Sequence, residues 1–175
     1  LTNKDYDKAV DAGLKLIRLN PRDYAARANL ALAYSQSGQL DQAIAHYPEA
    51  LKLAPGNAAV RLKLAETCEK AKKGDAAIDQ YKQIMKKAPQ DKNALIALAA
   101  NSLKNKRYDE AIRLYSDIIK NQPRNASAYA NLGLAYGGKG SAKEEIDAYR
   151  KSIALNPEDP VVHYNLAVAY EKQKR

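Results

Sequence analysis

The sequence predicts an all-α fold, a right-handed α-solenoid of stacked antiparallel helix pairs. Three observations predict it: a proline recurs every 34 residues, a short polar residue follows each proline, and apolar residues recur between them with helical spacing. The prolines are Pro21, Pro55, Pro89, Pro123 and Pro157. A fixed period of this length is typical of a small helical unit repeated along the chain.

The first helix of each unit is predicted to begin just after the proline. Two residues beyond it stands an Asp or Asn, whose short side chain can accept from the free amides of a helix start. These residues are Asp23, Asn57, Asp91, Asn125 and Asp159. Nine residues after each proline comes a leucine and then a small residue, which lets a second helix approach closely. The pairs are Leu30 and Ala31, Leu64 and Ala65, Leu98 and Ala99, Leu132 and Gly133, and Leu166 and Ala167.

A second helix is predicted in each unit, opened by Asp7, Asp41, Asp75 and Asp109. In the last complete unit Lys143 takes this position, and Ser141 with Glu144 is expected to form a capping box instead. Farther along come a small residue, an aliphatic residue and a tyrosine on one helical stripe. The tyrosines are Tyr47, Tyr81, Tyr115 and Tyr149.

Two features are expected to disturb this pattern. Pro48 removes a backbone donor seven residues into the second helix that Asp41 opens, which predicts a kink or a break. Gly137 and Gly138 are expected to weaken the end of a first helix.

The pattern of Leu, small residue, Tyr, small residue, Tyr and Pro at a 34-residue period resembles the tetratricopeptide repeat (TPR) family. In the first complete unit these positions are Leu30, Ala31, Tyr34, Ala43, Tyr47 and Pro55. The resemblance covers essentially the whole chain and implies a TPR superhelix whose first helices line a concave groove that binds extended or helical peptides. Arg27, Arg61 and His163 depart from it, since the family favours a large aromatic residue there.

The period predicts a single array over residues 1–175. Residues 24–57, 58–91, 92–125 and 126–159 form four complete repeats, numbered 1 to 4 below. Residues 1–21 supply the second helix of a partial repeat, and residues 160–175 the first helix of a further one. Because the chain begins and stops within a repeat, we expect a fragment of a longer array, or ends that pair with a second copy.

The resemblance places the groove on positions four, seven, eight and eleven residues after each proline. An amide side chain there can donate to and accept from a peptide backbone, and apolar neighbours would hold apolar ligand side chains. The predicted groove residues are Asn29, Leu32, Leu62, Lys63, Ile96, Ala97, Asn131, Leu134, Tyr164 and Asn165.

Basic residues gather near the turns that join the two helices of a repeat. The net charge is +9, and residues 58–125 contribute +7 of it, with 8 basic and 5 acidic side chains in repeat 2 and 7 and 3 in repeat 3. We call this predicted surface the basic edge. It consists of Lys70, Lys72, Lys73, Lys104, Lys106, Arg107 and Lys139.

The predicted function is a non-catalytic protein-interaction scaffold that binds a peptide segment of a partner. Two alternatives stay open: self-assembly through the terminal helices, and attraction of an acidic protein, nucleic acid or an anionic membrane to the basic edge. His46 and His163 lie far apart, and no metal-ligand spacing occurs, so the sequence predicts no enzyme, cofactor or metal. With a single cysteine there is no internal disulfide, so the fold does not depend on an oxidising compartment. The location is left unknown, with the cytoplasm slightly favoured for a soluble domain.

Overall fold

The computed structural model describes the backbone of residues 3–174 and the side chains of residues 5–174. This range contains ten α-helices and no strand, which confirms the all-α prediction. The helices are α1 (Asn3–Leu19), α2 (Tyr24–Gln36), α3 (Leu40–Leu53), α4 (Ala58–Lys70), α5 (Gly74–Lys87), α6 (Lys92–Lys104), α7 (Tyr108–Asn121), α8 (Ala126–Lys139), α9 (Ala142–Leu155) and α10 (Pro160–Gln173). Residues 1, 2 and 175 of the predicted terminal helices lie outside the described residues.

The helices pack as the pairs α2 and α3, α4 and α5, α6 and α7, and α8 and α9. Each pair occupies one of the four predicted repeats, while α1 packs on α2 and α10 packs on α9. The first helix begins at Asn3, earlier than the period would start it, which is at Tyr6. The chain divides into two compact units, one ending at Asp91 and the other beginning at Lys92, so the division falls between repeats 2 and 3.

The core of each repeat is built from the recurring leucine, small residue and tyrosine. The four tyrosines of the second helices are almost completely buried, and so are Ala31, Ala65 and Ala99 of the first helices. In repeat 4 the small residue is Gly133, and a Cβ atom there would lie 2.6 Å from Cε1 of Tyr149. The small residue therefore makes room for a neighbouring tyrosine ring in that repeat.

The predicted N-caps are confirmed at Asp23, Asn57, Asn125 and Asp159, whose side chains accept from amides of the following helix. Asp23 Oδ1, for example, accepts from the amides of Ala25 and Ala26 at 2.8 and 3.1 Å. These bonds satisfy backbone donors that a helix start otherwise leaves free.

The turn inside each repeat follows one hydrogen-bond pattern. The residue before each second helix donates its amide to the carbonyl five residues earlier, as Ser141 does to Tyr136 at 2.9 Å. The preceding residue has a positive φ, as a Schellman motif requires. Glycine fills this left-handed position in repeats 1 and 4, at Gly38 and Gly140, whereas Lys72 and Lys106 fill it in repeats 2 and 3, with φ near +58° and +59°.

The capping box predicted at Ser141 and Glu144 is wrong. The side chain of Ser141 makes no capping hydrogen bond. In such a box the Glu144 carboxylate would accept a hydrogen bond from the Ser141 backbone amide. That amide already donates to the Tyr136 carbonyl within the turn. A carbonyl group of α8 therefore accepts the hydrogen bond that the glutamate would otherwise have accepted.

Of the kink or break predicted at Pro48, the break is wrong, because α3 runs without interruption from Leu40 to Leu53. The kink stays a prediction. The proline ring lies on the exposed side of α3, whereas Tyr47, Ala50 and Leu51 beside it are buried. Tertiary packing of this buried stripe holds the segment helical despite the missing backbone donor.

The two glycines near the end of α8 make room for side chains from neighbouring helices. A Cβ atom at Gly137 would collide with the carboxyl group of Glu145, and one at Gly138 would collide with the ring of Tyr108. Glu145 replaces the alanine of the other repeats and is only 7% exposed. The missing side chain of Gly137 thus accommodates the larger Glu145, and burial raises the pKa of the Glu145 carboxyl group.

Replacing Lys72 by glycine should stabilise the fold. A residue with a Cβ atom destabilises the fold by roughly 1–2 kcal/mol when it adopts the left-handed conformation, and glycine removes this strain. Glycine also has more conformational freedom in the unfolded chain, which offsets part of the gain in stability. We expect the Lys72→Gly variant to gain about 0.5–1 kcal/mol in urea unfolding. Lys70→Gly, within α4, is the control and should lose stability. A loss for Lys72→Gly comparable to that of the control would contradict the prediction.

Replacing Glu145 by glutamine removes a buried charge and keeps the side-chain shape. Because the folded-state pKa of Glu145 is raised, proton binding stabilises the fold below the unfolded-state pKa, and this contribution is lost as pH rises through the folded-state pKa. We therefore expect Glu145→Gln to unfold at a higher temperature than the parent at pH 7, with a smaller difference at pH 4. The exposed neighbour Glu144→Gln is the matched control. A difference that does not change with pH would refute this account.

Candidate functional site

In the first compact unit the predicted groove residues surround one cavity between α2 and α4. Its volume is about 210 Å³, and Asn29, Leu32, Leu62 and Lys63 all line it. The remaining lining is almost entirely apolar and comprises Ala28, Tyr47, Ala59 and Val60. Among the described residues the Tyr47 hydroxyl is buried without a hydrogen-bond partner, and its burial raises the pKa of the phenol.

Two buried hydroxyl groups tie α2 to α4 in this unit. Ser35 Oγ and Thr67 Oγ1 are 3.0 Å apart, and Thr67 also donates to the carbonyl of Lys63 at 2.7 Å. The ammonium group of Lys63 meets Glu66 at 2.8 Å on the surface of α4. The spacing of the two first helices is therefore fixed by polar contacts as well as by apolar packing.

In the second compact unit the predicted groove residues lie on α6, α8 and α10. Ile96, Leu134 and Tyr164 are large side chains that expose 43%, 41% and 69% of their surface. The helix α10 that carries Tyr164 is held by Val162 and Ala169, which pack in a core cluster with residues of α9.

Three groove asparagines keep their amide groups unused. In the part of the chain that the structure describes, the side chains of Asn29, Asn131 and Asn165 make no hydrogen bond. Three asparagines elsewhere donate from the side-chain amide to a backbone carbonyl four residues earlier: Asn101 to Ala97, Asn105 to Asn101, and Asn121 to Asp117. The groove amides are thus available to an external donor or acceptor.

The residues that depart from the family pattern support the proline turns, a role that the sequence analysis missed. Arg27 donates to the carbonyl of Pro21 at 2.8 and 3.1 Å, and Arg61 donates to that of Pro55 at 3.2 Å. The ring of His163 contacts the carbonyl of Pro157 at 2.7 Å. The constant spacing of six residues is the sequence feature that could have revealed this role.

Two residues of the basic edge are neutralised by an aspartate of the preceding repeat. Lys73 meets Asp41 at 2.7 Å, and Lys139 meets Asp109 at 2.6 Å. These carboxylates raise the pKa of both lysines. Arg107 contacts Glu110 at 3.6 Å, whereas Lys70, Lys72, Lys104 and Lys106 form no salt bridge among the described residues. The alignment of all seven along one edge stays a prediction.

The described residues offer no site for a metal or for thiol chemistry. They contain no group of three or more His, Cys, Asp or Glu side chains that could hold a metal ion. Cys68 is buried, and its burial raises the pKa of the thiol, so this residue fills the core as predicted. Among the described helices none is long and apolar enough to span a bilayer.

Paired helices at a 34-residue period, with an apolar and amide-bearing face on the first helices, define a helical repeat protein that presents surfaces to a partner. Three models of the tetratricopeptide repeat match the sequence, over residues 36–101, over residues 96–160, and over residues 12–45 together with 148–175. The chain belongs to the tetratricopeptide repeat family. It is a non-catalytic protein-interaction scaffold.

Solved structures with the same fold share little sequence with this chain. MamA (41-end) from Desulfovibrio magneticus RS-1 matches with a TM-score of 0.74 at 21% identity, covering 86% of this chain and 85% of that one. A tetratricopeptide repeat protein from Parabacteroides merdae matches with a TM-score of 0.77 at 19% identity, covering 98% and 68%. YrrB, described as a TPR protein with an unusual peptide-binding site, matches with a TM-score of 0.70 at 19% identity, covering 95% and 86%. No curated protein sequence matches the chain.

Replacing Asp41 by asparagine should release Lys73 and increase the affinity of the basic edge for polyanions. We expect Asp41→Asn to elute from a heparin column at higher salt than the parent. Asp79→Asn is the matched control, since it removes the same charge from an exposed side chain of α5 that makes no described salt bridge. Elution of both variants at the same salt concentration would contradict the prediction, because it would show that the ion pair with Asp41 does not reduce the attraction of Lys73 for polyanions.

Proposed function

We propose that the face formed by the first helices binds an extended peptide segment of a protein partner. The observation that carries this proposal is the set of uncommitted amides at Asn29, Asn131 and Asn165, set among apolar side chains. An amide can both donate to and accept from a peptide backbone, so it holds an extended chain without requiring a particular side chain.

The cavity between α2 and α4 supports a preference for an apolar anchor in the ligand. Leu32 and Leu62 are half-buried, and nearly all of the lining is apolar. Burying an aliphatic or aromatic side chain there removes apolar surface of both partners from water. Asn29, on the exposed rim, is placed to bond the ligand backbone beside the anchor.

The second compact unit supplies a more open surface of the same character. Ile96, Leu134 and Tyr164 are exposed, and Asn131 and Asn165 are half-buried beside them. We infer that this unit contacts apolar ligand side chains over a broad area, and that the cavity of the first unit by itself accepts one apolar side chain. The ligand is thus an extended segment with several apolar residues.

The basic edge carries a second candidate function, supported by the four lysines that form no described salt bridge. Because surface charges attract acidic partners over about a Debye length, roughly 10 Å at 0.1 M salt, such binding would weaken steeply with added salt. Binding through the apolar groove would change little. The salt dependence of the affinity for a captured partner therefore separates the two functions.

Self-assembly is favoured by one observation on α10. Val161 and Tyr164 expose 64% and 69% of their surface on this last helix. A second copy would cover them if the chain assembled through α10. Sedimentation analysis that finds a monomer at high protein concentration would exclude this function and leave Tyr164 available to a peptide.

The groove is tested with a peptide selected against the full chain from a random display library. The combined change Asn131→Ala and Leu134→Ser should weaken binding by at least about tenfold, or about 1.4 kcal/mol, because it removes a backbone contact and an apolar contact. Isothermal titration calorimetry measures the affinity. A matched control is the combination of Asn121→Ala and Leu53→Ser, because Leu53 is as exposed as Leu134 but lies on the second helix of its repeat. Unchanged affinity of the groove variant would show that the groove is not the site.

A further inference from the structure

Repeat 4 contains a cavity on the side of α8 that points away from the groove residues of the same helix. It lies between α8 and α9 and has a volume of about 230 Å³. Its lining consists of Tyr129, Leu132 and Tyr136 from α8 and of Glu144, Asp147, Ala148 and Lys151 from α9. At about 100° per residue, the stripe of Tyr129, Leu132 and Tyr136 points away from the groove residues Asn131 and Leu134 on the same helix.

A single small residue explains why repeat 4 has this space. The residues equivalent to Ala148 in repeats 1 to 3 are His46, Gln80 and Leu114, all of which are larger. In repeat 1 the His46 ring stacks on Tyr34, the equivalent of Tyr136, with ring centroids 5.3 Å apart and the planes inclined by 17°. In repeat 2 the side chain of Gln80 accepts from Arg61 at 3.0 Å, and in repeat 3 Leu114 is buried.

Repeat 1 therefore shows what kind of group the position accepts. A flat, nitrogen-containing ring lies against the tyrosine there and belongs to the chain itself. In repeat 4 the tyrosine is kept, at Tyr136, but Ala148 leaves its face uncovered. A flat group from another molecule has room to occupy the place that His46 fills in repeat 1.

The charges around the cavity select a cation. Glu144 and Asp147 are exposed carboxylates that form no salt bridge within the described residues. Repeat 1 has the uncharged residues Gln42 and Ala45 at these two positions, so repeat 4 carries an acidic pair that repeat 1 lacks. Lys151 adds one positive charge to the lining, and its Nζ atom lies 5.8 Å from the ring centroid of Tyr129, so the chain's own cation occupies that ring and Tyr136 is the ring left for a ligand.

We propose that this cavity binds an arginine side chain of a protein partner. A guanidinium group is planar and stacks on aromatic rings, and its fork of donors matches a carboxylate. Tyr136 would provide the stacking surface, while Glu144 and Asp147 would pair with the charge. The site is separate from the proposed groove, so it would add a second contact to a partner held there or hold a different one.

The binding is tested by NMR titration of the full chain with N-acetyl-arginine amide. Amide signals of residues 129–151 should shift in a saturable manner. N-acetyl-citrulline amide has nearly the same shape without the charge and should cause no such shift, and N-acetyl-lysine amide should cause a smaller one. Equal shifts with the citrulline compound, larger shifts with lysine, or no saturable shift with arginine would each overturn the proposal.

Two variants locate the site. Ala148→His reproduces the residue of repeat 1, should fill the cavity and should abolish the shifts. The combined change Glu144→Gln and Asp147→Asn alters only exposed side chains and should weaken binding at least fivefold, so the proposal stays testable if Ala148→His does not fold. Asp79→Asn, in the other compact unit, should leave the titration unchanged. Retained binding in a folded Ala148→His protein or in the double variant would overturn the assignment.

Discussion

The structure depends on the close approach of the two helices in each repeat. A tyrosine on the second helix is buried, and a small residue on the first helix leaves space between the pair. In repeat 4 the requirement is strictest, because a Cβ atom on Gly133 would collide with Tyr149. Neither helix could bury its apolar stripe alone, so pairing and stacking decide the fold. The groove and the other surfaces follow from it, since it fixes which side of each first helix is left uncovered.

Once the second helix covers one side of the first, the opposite side can diverge without cost to the fold. Asparagines with uncommitted amides and half-buried leucines occur on that side, where the repeat itself does not need them. The turns show the same freedom, since Lys72 and Lys106 occupy left-handed positions that glycine fills in the other two complete repeats.

The helices and their N-caps could be predicted because each depends on residues that recur at a fixed spacing. Interactions between non-equivalent residues could not. The capping box predicted at Ser141 does not form, because the Ser141 amide already donates to a carbonyl in the turn. The helix α3 continues through Pro48, because buried residues beside the proline hold the segment helical. The fit between Glu145 and Gly137 involves two departures from the repeat that make sense only together. For the site, four of the predicted groove residues line the cavity between α2 and α4, and the role of the groove stays a prediction, whereas the ion pairs of Lys73 and Lys139 required coordinates.

The central claim is that partners are bound by the first helices of the repeats. Hydrogen–deuterium exchange of the full chain, with and without a saturating selected peptide, tests it most directly. The account predicts added protection in the first helices α2, α4, α6, α8 and α10, with little change in the second helices α3, α5 and α7. Protection concentrated in those second helices, with the first helices unchanged, would contradict it.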